Sequence, residues 1–163
     1  MNTLTIEKFL KNETDLIFEA GETTLSIEDG ILTIAIDFPA KYTGKEQVWD
    51  EAGNNVLSEP IDFGYKEDDA TLELEMPIEN AENIDDLLNR TININSETDD
   101  DLTNFLIMNN HHPTFDDTIT LKKVNDEYIL EWKGFVPDIN YYDFEKSMQK
   151  KFPFILITKC EIS

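Results

Sequence analysis

Apolar and polar positions alternate with period two over much of this chain, the spacing of half-buried strands. The clearest run is Thr23 to Phe38. Leu25 and Ile27 alternate with Thr24, Ser26 and Glu28, and after Asp29-Gly30 the alternation resumes with Leu32, Ile34, Ile36 and Phe38 on one face. Asp-Gly between alternating runs signals a hairpin, because a type I′ turn needs positive φ at both central residues. The opposite face, Ile31, Thr33, Ala35 and Asp37, is expected to be partly exposed. Thr118 to Val124 and Glu127 to Lys133 predict a second hairpin, with Asn125-Asp126 as its turn.

Further strands are expected at Thr3–Phe9, Asp15–Glu19, Gln47–Asp50, Ile61–Tyr65, Thr71–Met76, Thr91–Ser96, Leu102–Met108 and Phe154–Ile162. In Thr71–Met76 the side chains of Leu72, Leu74 and Met76 face inward, and Thr71, Glu73 and Glu75 outward. Asn80–Arg90 is the best helical candidate. Ile84, Leu87 and Leu88 sit at i, i+3 and i+4, with Asn80 or Asn83 as cap. Glu145–Lys151 suggests a helical turn. Trp49 to Asn54 reads as a hairpin tip, Asn109 to Pro113 as a polar break, and Gly134 to Asp143 as an aromatic loop. The expected fold is mainly β: an antiparallel sandwich or strongly curved sheet with one or two short helices, in a single domain spanning 1–163.

Composition adds a field to this outline. The 163 residues include 35 Asp and Glu against 13 Lys and Arg, a formal net charge of −22. Apolar residues make up 40% and aromatics 10% of the chain, too many for a disordered acidic tail. The charge is concentrated between Ile61 and Asp101, where fourteen acids face only Lys66 and Arg90. Such a field repels nucleic acid and anionic membranes and attracts basic proteins and divalent cations. With one cysteine, Cys160, no intrachain disulfide can form. Glu7, Lys8, Lys11 and Glu13 interrupt any N-terminal apolar signal, so a cytoplasmic location is expected.

No catalytic motif emerges. His111 and His112, as neighbours on an extended chain, point to opposite sides and make no metal site. Cys160 lies in an apolar strand, where a buried inert thiol is expected. No nucleophile elbow, phosphate loop or dinucleotide turn is present. The chain is read as non-enzymatic, with no cofactor. One alternative is calcium: Glu97, Asp99, Asp100 and Asp101 form an oxygen-rich cluster of the type found in calcium loops of C2-like sandwiches. Another is a structural domain whose charge serves solubility. The remaining constellation joins acids to aromatics. Glu73, Glu75, Asp85, Asp86, Asp99, Asp100 and Asp101 are candidates for one binding surface, with Tyr141 and Tyr142 as anchors.

Glu67-Asp68-Asp69, Asp85-Asp86 and Asp99-Asp100-Asp101, together with Trp132-Lys133-Gly134 and Asp138-Ile139-Asn140-Tyr141-Tyr142, give the chain its general character. In that character it resembles the small acidic immunity proteins of bacterial toxin–immunity systems. The resemblance implies a binding protein that blocks a basic partner such as a cognate toxin. It assigns no site residues.

Overall fold

The computed structural model describes residues 2–10, 13–39, 70–94, 102–107, 110–139 and 144–162. The strands are β1 (Thr3–Leu10), β2 (Thr14–Glu19), β3 (Thr23–Glu28), β4 (Ile31–Phe38), β5 (Ala70–Pro77), β6 (Thr91–Ile94), β7 (Thr103–Ile107), β8 (Asn110–His112), β9 (Phe115–Val124), β10 (Glu127–Pro137) and β11 (Lys151–Ile162). They form one curled mixed sheet, a half-barrel. Its order is β6-β9-β10-β11-β3-β4-β5-β7-β8, with β1 and β2 branching from β11.

Both predicted hairpins are present. Asp29 and Gly30 have φ of 51° and 77°, and Asn125 and Asp126 have φ of 50° and 65°, as type I′ turns require. The twelve-residue β11 is the junction. It pairs with β10 along ten residues and with β1 through Phe154–Ile157. Its last two paired residues, Glu161 and Ile162, meet β3 in parallel. The sheet therefore divides along one strand. One half is β2-β1-β11-β10-β9-β6, and the other is β3-β4-β5-β7-β8.

Curling brings the inner faces of both halves onto one core. Leu32, Ile34, Ile36 and Phe38 from β4, Leu72 and Leu74 from β5, and Leu130, Trp132 and Leu156 from β10 and β11 are all buried. Phe18 of β2 lies over the other half, with its ring centroid 5.8 Å from Phe38 and 6.0 Å from Phe105.

Two bulges set the curvature. In β1 the register shifts between Ile6 and Leu10, and Lys8 takes φ 53°. Its backbone N–H donates to Asp15 Oδ1 at 2.8 Å. β1 advances four residues there while β2 advances two, and the alternation breaks so that Phe9 and Leu10 are both buried. In β9, Asp116 takes φ 50°, and the β9–β10 register shifts between Lys133 and Phe135. The bulge turns Asp117 inward opposite Gly134. A Cβ on Gly134 would stand 2.7 Å from Asp117 Oδ1, so this position requires glycine.

Four expectations need correction. Asn80–Arg90 is not an α-helix: Ile84–Leu87 is a single 3-10 turn. Asn80 and Asn89, at φ 56° and 63°, cut the segment at both ends. Ala81, Ile84 and Leu87 are buried at a spacing of three, which suits 3-10 geometry as well as α. Asn109–Pro113 is not merely a break, because β8 pairs with β7 there. Gly134–Pro137 continues β10 instead of starting an aromatic loop, paired in unbroken register with Phe154–Lys151 of β11. Finally, the sheet is mixed, through the β11–β3 pair. The expected strands at Gln47–Asp50 and Ile61–Tyr65, and the tip at Trp49–Asn54, lie outside the described residues. Among the described residues no helix is long and apolar enough to cross a membrane.

Candidate functional site

The two halves of the sheet differ in charge. β3, β4, β5 and β7 contain Glu28, Asp37, Glu73 and Glu75 and not one Lys or Arg. All four carboxylates are exposed. Alternation explains their placement: the residues between them, Ile27, Ile36, Phe38, Leu72, Leu74 and Met76, turn to the core, so the acids face out. Register ties them into one surface. Glu73 lies opposite Ala35 on β4 and Asn104 on β7, Glu75 opposite Thr33, and Asp37 opposite Thr71. By contrast β9, β10 and β11 carry Lys122, Lys123, Lys133, Lys151 and Lys159 against Asp116, Asp117, Glu127, Glu131 and Glu161, and are balanced.

The segment from Ile78 to Arg90 closes one end of the half-barrel. It starts at the β3–β4 tip, where Ile78 N–H donates to Gly30 O at 2.9 Å. It ends beside β9, where Leu88 bridges to Leu121. Ile84 and Leu87 plug the core. Arg90 ties the two ends together, its guanidinium donating to Glu79 O at 3.2 Å and Asn80 O at 3.4 Å. Asp86 Oδ2 accepts from Glu82 N–H at 2.9 Å and Asn83 N–H at 3.0 Å. Those backbone donors, that of Asn83 foremost, hold its carboxyl below the usual carboxylate range.

Asp85 is less free than its exposure suggests. The Tyr128 hydroxyl donates to it, Lys123 Nζ donates to that hydroxyl at 3.3 Å, and Lys123 Nζ lies 3.8 Å from Asp85 Oδ1. The hydrogen bond to Tyr128 and then the charge of Asp85 push the Lys123 pKa up. A cleft of about 350 Å³ lies beside this cluster, with Ile27, Ile84, Tyr128 and Ile162 as apolar walls and Glu82, Asp85 and Asp86 at its rim.

Of the sequence-based candidates, Glu73 and Glu75 share the outer face of β5, while Asp85 and Asp86 stand together on the end segment. The two pairs occupy different elements, a face and an end. Asp99, Asp100, Asp101, Tyr141 and Tyr142, and Glu97 of the calcium alternative, lie outside the described residues. Glu28 and Asp37 join the acid face although sequence reasoning did not select them. The parity of the alternation carried the signal, since both share the outward register of their strands.

Two buried groups complete the chemistry. His112 is not in a polar loop. It pairs with Phe105, which turns its imidazole to the core side, and it is 3% exposed. Its Nε2 has no hydrogen-bond partner among the described residues, and desolvation lowers its pKa to about 4. His111 is exposed and meets Asn104 Oδ1 at 3.1 Å. Asp117 is also buried. It accepts from Trp132 Nε1 at 2.8 Å and Thr114 Oγ1 at 2.7 Å. Trp132 is thus core, and its ring nitrogen is satisfied there. Burial pushes the half-buried Cys160 thiol up to about 12, far from a reactive thiolate. Among the described residues no group of three or more His, Cys, Asp or Glu is gathered to hold a metal.

Comparison with family models, curated proteins and solved structures finds no match for the chain.

Proposed function

We propose that this protein is a non-enzymatic acidic binding protein that neutralises a basic protein partner, in the manner of an immunity protein against a toxin. The observation that carries the reading is the one-sided charge of the sheet: four exposed carboxylates on β3, β4 and β5 with no cation on those strands or β7. A rigid strand face holds these charges at fixed spacing, so a matching basic surface loses little freedom on docking. The net charge of −22 steers such a partner from a distance. The same field disfavours nucleic acid and anionic membranes as ligands.

The test is capture of partners from the source lysate on the immobilised chain, followed by association kinetics with whatever basic protein is retained. The association rate should fall steeply as salt rises. Reversing Glu73 and Glu75 to Lys should slow it further without changing the fold. A rate insensitive to salt and to these reversals would overturn the proposal, as would the absence of any retained basic protein.

A further inference from the structure

The outer face of the β2-β1-β11-β10-β9-β6 half is unlike the rest of the molecule. Ile17 is 54% exposed, Ile157 39% and Phe135 37%. Ile129, Pro153 and Ile155 are half-buried beside them. Pairing makes these neighbours. Thr5 lies opposite both Ile17 and Ile155, Glu131 opposite Ile157, and Phe135 opposite Pro153. Threonines 3, 5, 118 and 120 fill the same face, so short uncharged side chains surround a row of large apolar ones. Apolar side chains gathered on one sheet face mark an interaction surface.

We infer that this face is an isologous interface with a second copy of the chain. Two features select that occupant over a basic partner. The first is charge. A chain at −22 meets least repulsion from its copy through a face where charges nearly cancel. Here Lys133 sits 3.2 Å from Glu131, and Lys159 sits 2.9 Å from Glu127. The second is asymmetry across the face. Its β1–β2 side carries Glu7, Asp15 and Glu19 against Lys8. Its β9–β11 side carries Lys122, Lys133, Lys159 and Lys151, the last over the Phe115 ring at 4.0 Å, against Asp116, Glu127, Glu131 and Glu161, and is neutral. A two-fold axis in the interface plane and parallel to β11 exchanges these sides, so the acidic side of one copy faces the neutral, lysine-bearing side of the other and not its own like charge.

The size is adequate. Six strands about 4.8 Å apart and some six residues long give roughly 500 Å² in projection. The pleated accessible surface is larger, so two such faces reach the low end of specific interfaces, about 1,200 Å² in total. The acid face lies on the other half of the sheet and stays open.

The experiment is sedimentation equilibrium on the full chain at micromolar concentration, in low and in physiological salt. The expected mass is twice the 18.8 kDa chain. The dimer should tighten as salt is raised, because salt screens repulsion between two acidic chains. Binding to a basic partner responds in the opposite sense, so the two readings fail separately. Ile157→Lys should give a monomer with unchanged circular dichroism. Ile17→Lys, on the outward side of an edge strand, serves if the first variant misfolds. Glu73→Lys with Glu75→Lys should leave the dimer intact. A wild-type monomer would overturn the inference, and so would a dimer that survives Ile157→Lys and Ile17→Lys.

Discussion

Gly134 shows how one residue records a tertiary fact. Any side chain there would meet Asp117 Oδ1 at 2.7 Å, Phe115 O at 3.0 Å and Phe154 Cε1 at 3.0 Å. Two of these neighbours cannot easily yield: a backbone carbonyl, and a carboxylate held by Trp132 and Thr114. Gly134→Ala should therefore destabilise the fold by about 1–3 kcal/mol in urea unfolding, the usual cost of overpacking. His112 makes a prediction of another kind. The folded protein keeps it neutral down to about pH 4, whereas the ordinary histidine value is 6.5. Between those values the unfolded chain binds a proton that the folded chain refuses. Stability is fully present above the unfolded value and is lost as pH falls through this window. The contribution is on the order of 3 kcal/mol. Urea unfolding of the wild type and of His112→Leu, at about pH 7 and about pH 5, should show a smaller acid loss in the variant. At neutral pH the variant should keep most of its stability, because the substitution also removes a buried nitrogen that has no partner among the described residues.

At the scale of elements, the strands were legible because period-two alternation survives wherever one face is buried. The hairpins were legible because Asp29-Gly30 and Asn125-Asp126 favour positive φ. The end segment was not. Ala81, Ile84, Leu87 and Leu88 satisfy a helical spacing, but the segment must span from the β3–β4 tip to β9. Left-handed Asn80 and Asn89 at its ends leave one turn between them. Its role is to close the core, so Ile84→Ala should cost about 2–4 kcal/mol, the range for emptying a buried aliphatic site. Glu82→Ala on its exposed side should leave the unfolding midpoint nearly unchanged. The pairing of β7 with β8 was hidden for a related reason: Asn110, His111 and His112 are polar in sequence, and only the Phe105–His112 register turns His112 inward.

At the scale of the molecule, charge and shape combine into two unlike surfaces. The acid face carries Glu28, Asp37, Glu73 and Glu75. β9, β10 and β11 of the opposite half carry balanced charge around Ile155 and Ile157. Salt should separate their roles, weakening capture of a basic protein at the first and strengthening self-association at the second. The candidate site was partly legible. Glu73 and Glu75 could be placed outward on β5 from alternation alone. Their companionship with Asp37 and Glu28 required the β3–β4–β5 register. Asp85 could be placed on a polar surface, but its partnership with Tyr128, 43 residues away, and with Lys123 comes only from the fold.

The sequence by itself determined the β class, the two hairpins, the inward and outward faces of the clear strands and the sign of the field. Each is local, set by turn chemistry, by alternation or by composition. The tertiary structure decided that the sheet curls on itself, that β11 is shared by both halves, and that the acids and the exposed isoleucines fall on different halves. These depend on which strands pair and in what register. Pairing is chosen by burial summed over distant segments, and no single segment of the chain carries that sum.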